Sequence, residues 1–344
     1  MVTPRTRNPR VAVPRTSTIY EHAVNFIEYF GMTQEPFSNA PVSRFYYNSV
    51  QHAEALTRLT YAVESMKGLG LLVGQIGAGK TTLARRMLDA LPEDRYEAAL
   101  LVIIHSGITA SWLLRRIALQ LGVPEPAHEK LTLLGQLYQR LVHIYESGKK
   151  AVVLIDEAQM LQTRELMEEF RGLLNLEVPE RKLVTFVFFG LPELEHNLLL
   201  DPPLAQRVAL RVRLSPFDRD ATEAYIKHRL RLAGAQRMLF RPEAIDVIHT
   251  HSTGIPRVIN TLCDNALFEA FLARVADVDA LLMRKIGENL AVTLNAAKVP
   301  PANEPLSLRP PRGEPGPIMG GAGQPRRRLD LNDVDEMLSG LQKS

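Results

Sequence analysis

Five short runs of apolar residues alternate with helical stretches through the first two thirds of the chain. The runs cover residues 69–73, 98–104, 151–155, 183–189 and 208–214. Continuous apolar runs that are separated by helices are typical of parallel strands covered on both faces. The pattern therefore predicts an α/β fold built on a mostly parallel, five-stranded sheet.

Helical spacing replaces the strand pattern after the fifth run. Helices are predicted at residues 218–233, 242–251, 256–272 and 277–291. We therefore expect a small, all-helical lid domain after the α/β domain. Another helix is predicted before the first strand, over residues 48–67, with Asn48 as its N-cap.

Both ends of the chain differ in composition from its middle. The first eighteen residues hold Arg, Pro, Thr and Ser and little that could be buried, which predicts a disordered basic arm. Proline and glycine dominate the segment before the C-terminal residues, which predicts a linker. Apolar residues then recur at spacings of three and four among acids, which predicts a short amphipathic helix or, equally, a frayed tail. The predicted segments are a disordered basic arm at residues 1–19, the α/β domain at 20–216, the helical lid domain at 217–293, a disordered linker at 294–328 and a short amphipathic helix at 329–344.

The net charge of +3 is distributed unevenly. Seven arginines near the two ends exceed that total, so the rest of the chain is net negative: Arg5, Arg7, Arg10, Arg15, Arg326, Arg327 and Arg328. The middle therefore gives no reason to expect a broad nucleic-acid-binding face. The single cysteine, Cys263, excludes an intramolecular disulfide framework. Without a long apolar run or a signal-like N-terminus, a cytoplasmic location is expected, free or peripheral to the inner membrane.

A glycine-rich segment lies between the first apolar run and a helix. Its sequence, Gly74-Gln75-Ile76-Gly77-Ala78-Gly79-Lys80-Thr81, fits the phosphate-loop pattern G-x-x-x-x-G-K-[ST] and is followed by Thr82. Backbone N–H groups of such a loop surround the phosphates of a nucleotide, and the helix N-terminus adds positive potential. Lys80 is expected to reach the β- and γ-phosphates of ATP, and Thr81 is expected to be a Mg²⁺ ligand.

The third apolar run ends in two acids, Asp156 and Glu157. Asp156 at the end of a buried strand is predicted to hold Mg²⁺ together with Thr81. Glu157 is predicted to polarise the water that attacks the γ-phosphate. Together with Lys80, these two carboxylates predict ATP hydrolysis rather than ATP binding alone.

The phosphate loop, the acidic strand end and the helical lid resemble those of an AAA+ ATPase. From about residue 29 to residue 290, the chain more closely resembles the secretion-associated ATPases of the ExeA/GspA type. The matching segments are residues 29–31 (YFG), 35–38 (EPFS), 44–46 (RFY), 155–159 (IDEAQ), 173–177 (LLNLE), 192–194 (PEL), 224–230 (AYIKHRL) and 254–260 (GIPRVIN).

The resemblance implies roles for two arginines. Arg257 lies in the lid motif Gly254-Ile255-Pro256-Arg257, whose arginine contacts the γ-phosphate. Arg207 precedes the last strand and matches the arginine finger that reaches the site of a neighbouring subunit; Arg211 and Arg213 are nearby alternatives. A self-assembled ring or open helix is therefore the expected active form.

One position departs from the family pattern. Leu191 follows the fourth apolar run, where related ATPases carry a polar residue that orients the attacking water. A leucine side chain cannot hydrogen-bond to water, and Thr185 in mid-strand is a poor replacement. We therefore expect slow basal hydrolysis that increases on assembly.

Three functions are compatible with these observations. The resemblance implies an ATPase that drives or gates assembly of an envelope machine from the cytoplasmic side: a secretion system, a type IV pilus or a polysaccharide exporter. Residues 329–344 are the expected protein-binding segment. The arginine-rich arm would suit DNA or a membrane surface, which leaves open a DNA-associated ATPase that regulates transposition or loading. Leu191 leaves open a nucleotide-gated scaffold with little turnover.

Overall fold

The computed structural model describes residues 25–40, 43–179 and 181–296 of the 344-residue chain. The strands are β1 (Leu69–Gly74), β2 (Tyr96–Val102), β3 (Lys150–Asp156), β4 (Glu177–Val178), β5 (Arg181–Lys182), β6 (Val184–Gly190) and β7 (Val208–Leu214). The helices are α1 (Asn25–Tyr29), α2 (Val50–Glu64), α3 (Lys80–Asp89), α4 (Ala110–Gln120), α5 (Lys130–Glu146), α6 (Arg164–Leu173), α7 (Glu193–Asn197), α8 (Pro202–Ala205), α9 (Arg219–Leu232), α10 (Pro242–Ser252), α11 (Pro256–Leu272) and α12 (Ala280–Ala296).

The five predicted strands form one sheet in the order β2-β3-β6-β1-β7. Every neighbouring pair is parallel, so the predicted α/β fold class is confirmed. Strands β1, β3 and β6 lie inside the sheet and are buried along almost their whole length. Strand β7 lies at an edge and exposes alternate residues, Arg211 and Arg213 among them, which explains its weaker apolar run. The antiparallel hairpin of β4 and β5 was not expected.

Helices cover both faces of this sheet. On one face, α4, α5 and α6 contribute Ile117, Leu137 and Phe170 to a core with β1, β3 and β6. On the other face, α2 and α3 contribute Leu59 and Met87. Because both faces are covered, the interior strands contain almost only apolar residues.

The predicted N-cap of α2 is corrected by one residue. The cap is Ser49 rather than Asn48, because the Ser49 hydroxyl accepts a hydrogen bond from the backbone N–H of His52 at 3.3 Å. Asn48 instead faces the Tyr46 hydroxyl. A serine oxygen is a favourable acceptor for the unpaired N–H groups of a first helical turn.

Helices α9 to α12 build a separate apolar core, as the helical spacing predicts. The N-terminal segment packs into this core through Phe26, Phe30, Phe37 and Phe45, whereas the sequence led us to expect it with the sheet. The buried guanidinium of Arg229 on α9 holds that segment against the helix, because it donates hydrogen bonds to the carbonyls of Pro36 and Ser38.

The predicted arm at residues 1–19 and the predicted C-terminal helix at 329–344 lie outside the described residues, as does most of the predicted linker. The described part of residues 294–328 belongs to α12, which extends to Ala296. Within the described parts of the chain, no helix has the length and apolar character needed to cross a membrane.

Candidate functional site

The phosphate-loop motif connects strand β1 to helix α3 at the carboxyl end of the sheet. Gly77 and Gly79 both adopt positive φ angles, 80° and 96°, which side chains disfavour. A Cβ atom at Gly77 would lie 2.7 Å from the Cβ of Arg257. Glycine at this position therefore lets the loop approach the first turn of α11.

Lys80 is the first residue of α3, and its side chain is buried within the loop. The ammonium group donates to the carbonyl oxygens of Gly74 and Gln75, each at 3.0 Å. Burial lowers the pKa of Lys80, while the nearby carboxylates of Glu157 and Asp156 oppose that shift. The sequence-predicted phosphate ligand therefore lies next to both predicted acids.

Asp156 is the last residue of β3 and is only 1% exposed. Its Oδ1 accepts from the N–H of Glu157 at 2.9 Å, whereas its Oδ2 is buried and has no hydrogen-bond partner in the described residues. Burial raises the pKa of Asp156, and the neighbouring Thr81 hydroxyl counteracts this. A hydroxyl beside an unsatisfied carboxylate oxygen suits Mg²⁺, which prefers one or two protein oxygens together with water and phosphate.

Glu157 has an unusual backbone conformation at the start of a short 3₁₀ turn, Ala158–Met160. Its φ of 55° lies in the left-handed region, which is uncommon for a residue with a side chain and typical of functional sites. Its Oε2 accepts a hydrogen bond from Gln159 Nε2 at 2.5 Å. The carboxylate lines the same pocket as Lys80 and Thr81.

The pocket has a volume of about 470 Å³ and is lined by both the α/β part and the helical part of the molecule. Arg257 in the first turn of α11 approaches the loop, since its N–H lies 3.3 Å from the Gly77 carbonyl. Its side chain is exposed to the pocket and lies close enough to Lys80 to lower that residue's pKa. Lys80, Arg257 and Glu157 thus line one cavity, and the carboxylate of Asp156 lies near Lys80.

Of the remaining loop residues, some line the pocket and others hold the Lys80 side chain. Ile76, Ala78 and Thr82 line the pocket. Gly74 and Gln75 supply the carbonyl groups that bind Lys80.

Two tyrosines also line the pocket. Tyr46 lines it, and the guanidinium of Arg86 lies 5.1 Å above the Tyr46 ring. Tyr47 also lines it but packs edge-on against Phe217 and Tyr225 in the helical core. An aromatic wall of this kind suits the flat face of a nucleobase.

The structure separates Arg207 from the pocket of its own chain. Its guanidinium donates to the carbonyl of Arg171 at 3.1 Å and to Asn175 Oδ1 at 2.5 Å. The two alternatives are also bound locally, Arg211 to the Ala205 carbonyl and Arg213 to Glu195. None of these three arginines lines the pocket of its own chain.

Leu191 lies at the pocket wall, as its place after β6 implies. Thr185 is fully buried in mid-strand against Met66 and does not line the pocket, so it does not replace the missing polar group.

Sequence reasoning assigned no role to two polar residues at this site. Gln159 contacts Glu157 directly, and its place two residues after the acid was the available signal. His52 on α2 lines the pocket and contacts the loop, with its Nε2 3.2 Å from the Ala78 carbonyl. No local motif marks His52, because the contact depends on how α2 packs against the loop.

Comparisons with known proteins agree with this geometry. A family model described as an AAA domain matches residues 63–198. General secretion pathway protein A of Aeromonas hydrophila is 38% identical over 250 residues, which make up 72% of this chain and 45% of that relative. The chain thus spans less than half the length of this relative.

Solved structures show the same fold at low identity. The ORC2 protein of Aeropyrum pernix, in ADPNP-ADP complexes, aligns with a TM-score of 0.53 at 17% identity over 71% of each chain. The CDC6p protein of Pyrobaculum aerophilum aligns with a TM-score of 0.55 at 18% identity over 72% of this chain and 68% of its own. A Walker-type ATPase of Pyrococcus abyssi aligns with a TM-score of 0.53 at 20% identity, over 76% of this chain and 79% of its own.

The parallel sheet, the phosphate loop and the AAA domain matched at residues 63–198 define the class: the chain has the P-loop α/β fold of AAA+ proteins. Within that class it belongs to the ExeA/GspA type, as its identity to General secretion pathway protein A shows.

Proposed function

We propose that this protein binds ATP together with Mg²⁺ in the described pocket, hydrolyses it, and uses the cycle to drive or gate assembly of an envelope complex. The observation that carries the proposal is that Lys80, Glu157 and Arg257 line one cavity, with the carboxylate of Asp156 near Lys80. Lys80 lies at the end of the phosphate loop, Glu157 follows strand β3 and Arg257 belongs to the helical part, so a bound nucleotide would contact both parts of the molecule.

Each group has a distinct task in the proposed reaction. Lys80 and Arg257 bind the negative charge of the β- and γ-phosphates. Thr81 and Asp156 would hold Mg²⁺, which when bound neutralises charge on the phosphate oxygens. Glu157 accepts a proton from water as the water oxygen bonds to the γ-phosphorus, and ADP leaves with the electrons of the broken P–O bond.

The proposed cellular role is assembly of a secretion system, a type IV pilus or a polysaccharide exporter, from the cytoplasmic face of the inner membrane. The supporting observation is the similarity to a protein named for general secretion. A ring or open helix of subunits is part of the proposal, because Arg207 does not reach the pocket of its own chain. Slow turnover in dilute protein belongs to it as well, since the position of Leu191 lacks a polar side chain.

ATP turnover and nucleotide affinity of two variants test the chemistry. Glu157→Gln removes the proton acceptor and should lower kcat by about 10²- to 10⁴-fold while a fluorescent ATP analogue still binds. Lys80→Ala should lose most of that binding, because the loop loses its buried cation. Glu146→Gln, an exposed acid on α5, is the matched control and should behave as wild type. Normal turnover by Glu157→Gln would refute the assignment.

Partner capture tests the cellular role. Glu157→Gln protein held in ATP should retain components of an envelope complex from detergent extracts, and Lys80→Ala protein should not. Recovery of the same components with both variants would contradict nucleotide-gated assembly.

A further inference from the structure

Gln159 is a buried polar side chain that connects three separate segments around the acids. It is 5% exposed and belongs to the 3₁₀ turn that follows Glu157. Its Nε2 donates to Glu157 Oε2, and its Oε1 accepts from the backbone N–H of Leu191 at 3.1 Å. The side chain of Asn197 on α7 donates to the Gln159 carbonyl at 2.9 Å.

The partners fix the orientation of the Gln159 amide. The N–H of Leu191 can only donate, so it must face the amide oxygen. The amide nitrogen is thereby directed at the carboxylate of Glu157, which can only accept when ionised. A flipped amide would place two donors together and two acceptors together, so this contact pattern admits one orientation.

Close packing holds this arrangement in place. Gly190 at the end of β6 has no side chain, and a Cβ there would lie 3.1 Å from Gln159 Oε1 and 2.7 Å from Leu194 Cδ2. The end of β6 can therefore approach the turn after β3. Strands β3 and β6 are neighbours in the sheet, which sets the distance between Glu157 and Leu191.

These hydrogen bonds of Gln159 reach position 191, where this chain has a leucine and related ATPases carry a polar residue. The position after β6 supplies only a backbone N–H, and the Gln159 side chain carries the polar connection from there to the carboxylate. Gln159 also lines the pocket beside Glu157 and Leu191. A polar amide therefore stands at the pocket wall although residue 191 is a leucine.

We propose that Gln159 is the positioning residue for the Glu157 carboxylate in ATP hydrolysis, and that its amide joins that carboxylate to the backbone N–H of Leu191. The proposal rests on the proposed ATPase function. The amide holds Glu157 Oε2, which directs the other carboxylate oxygen towards the attacking water.

The test compares two substitutions in the full-length protein. Gln159→Leu removes both side-chain contacts. Gln159→Glu keeps an acceptor for the Leu191 N–H and, as a carboxylate, has no proton to donate to Glu157. We expect both variants to lower kcat about ten- to hundredfold, with KM and ADP affinity changed less than about threefold, because a displaced catalytic group affects chemistry more than binding.

Gln136→Leu is the matched control. Gln136 also uses both amide atoms to join backbone groups, since it accepts from the Ala127 N–H and donates to the Glu125 carbonyl, but it does not line the pocket. It should lose comparable stability while kcat stays at the wild-type value. A second control introduces Gln159→Leu into Glu157→Gln protein, where a residue that acts through Glu157 has no further effect.

Each outcome decides between the alternatives. If Gln159→Glu keeps the wild-type kcat, the donor to Glu157 is not needed and the inference is overturned; this variant decides the matter even if Gln159→Leu does not fold. If KM rises as much as kcat falls, Gln159 has a general structural role and the inference is again overturned. Absence of ATP turnover in the wild-type protein would refute the ATPase proposal itself, and normal turnover by Glu157→Gln would refute the role of Glu157, so both failures are distinguishable from this one.

Discussion

At the scale of single residues, a buried histidine contacts the phosphate loop. His52 is 4% exposed, with its Nε2 3.2 Å from the Ala78 carbonyl and its Nδ1 2.7 Å from the Ser49 hydroxyl. Neutral imidazole satisfies both contacts when its proton is on Nε2, because the hydroxyl of Ser49 then donates to Nδ1. Burial lowers the pKa of His52, and the hydrogen bond to Ala78 only partly opposes this.

This buried histidine predicts a loss of stability in mild acid. The pKa of His52 is lower in the folded protein than its ordinary value near 6.5, so the unfolded chain binds more protons. The free energy of unfolding should therefore be highest above about pH 6.5. It should fall towards the folded pKa by up to about 1.4 kcal/mol per pH unit.

Urea unfolding of His52→Gln across this range measures the contribution. The variant should show a shallower pH dependence, because glutamine keeps a donor near Ala78 but does not titrate. Burial lowers the pKa of His228 as well, so part of the slope should remain. His105→Gln, at an exposed position, should keep the wild-type slope. Equal slopes for His52→Gln and wild type would contradict the prediction.

At the scale of elements, one glycine fixes how the lid approaches the loop. Gly254 precedes α11 with a φ of 76°, and its carbonyl accepts from the Phe217 N–H at 2.8 Å. A Cβ at this position would lie 1.9 Å from the backbone carbonyl oxygen of Phe217, in the segment after β7. Two non-bonded atoms cannot approach so closely, so the backbone would have to move. Gly254→Ala should therefore lower the free energy of unfolding by about 3 kcal/mol or more and weaken nucleotide binding through displacement of Arg257.

Gly135→Ala is the matched control for this element. Gly135 lies within α5, and a Cβ there would meet nothing within 4 Å. Alanine should raise stability by about 0.5–1 kcal/mol at such a helical position, as a thermal melt would show. If Gly254→Ala were as stable as Gly135→Ala, the close contact with Phe217 would have no energetic weight.

Elements also differ in how far the sequence predicts them. The five strands were predictable because burial on both faces leaves continuous apolar runs, and the phosphate loop because its glycines and Lys80 are contiguous. The hairpin of β4 and β5 has two residues in each strand, too few for any periodicity. The contact between Gln159 and Leu191 joins residues 32 positions apart and depends on β3 and β6 being neighbours. A motif within one segment does not contain that information.

At the scale of the whole molecule, the pocket of one chain is lined by Glu157 and by the cations Lys80 and Arg257, but not by Arg207. The Arg207 guanidinium is bound on α6, through the Arg171 carbonyl and Asn175. An arginine finger at this position must therefore act on the pocket of another subunit. Such head-to-tail contacts generate rings or helices.

Mixing two inactive variants tests this arrangement. Arg207→Ala subunits keep Glu157, and Glu157→Gln subunits keep Arg207, so each variant alone should hydrolyse ATP slowly. In an equal mixture, random assembly would give about a quarter of the interfaces an intact acid facing an intact arginine, and turnover should recover to about that fraction of wild type. As controls, Arg211→Ala or Arg213→Ala subunits replace the Arg207→Ala subunits in the mixture with Glu157→Gln. If the mixture stays as slow as its components while wild type accelerates with protein concentration, Arg207 is not the residue that acts between subunits.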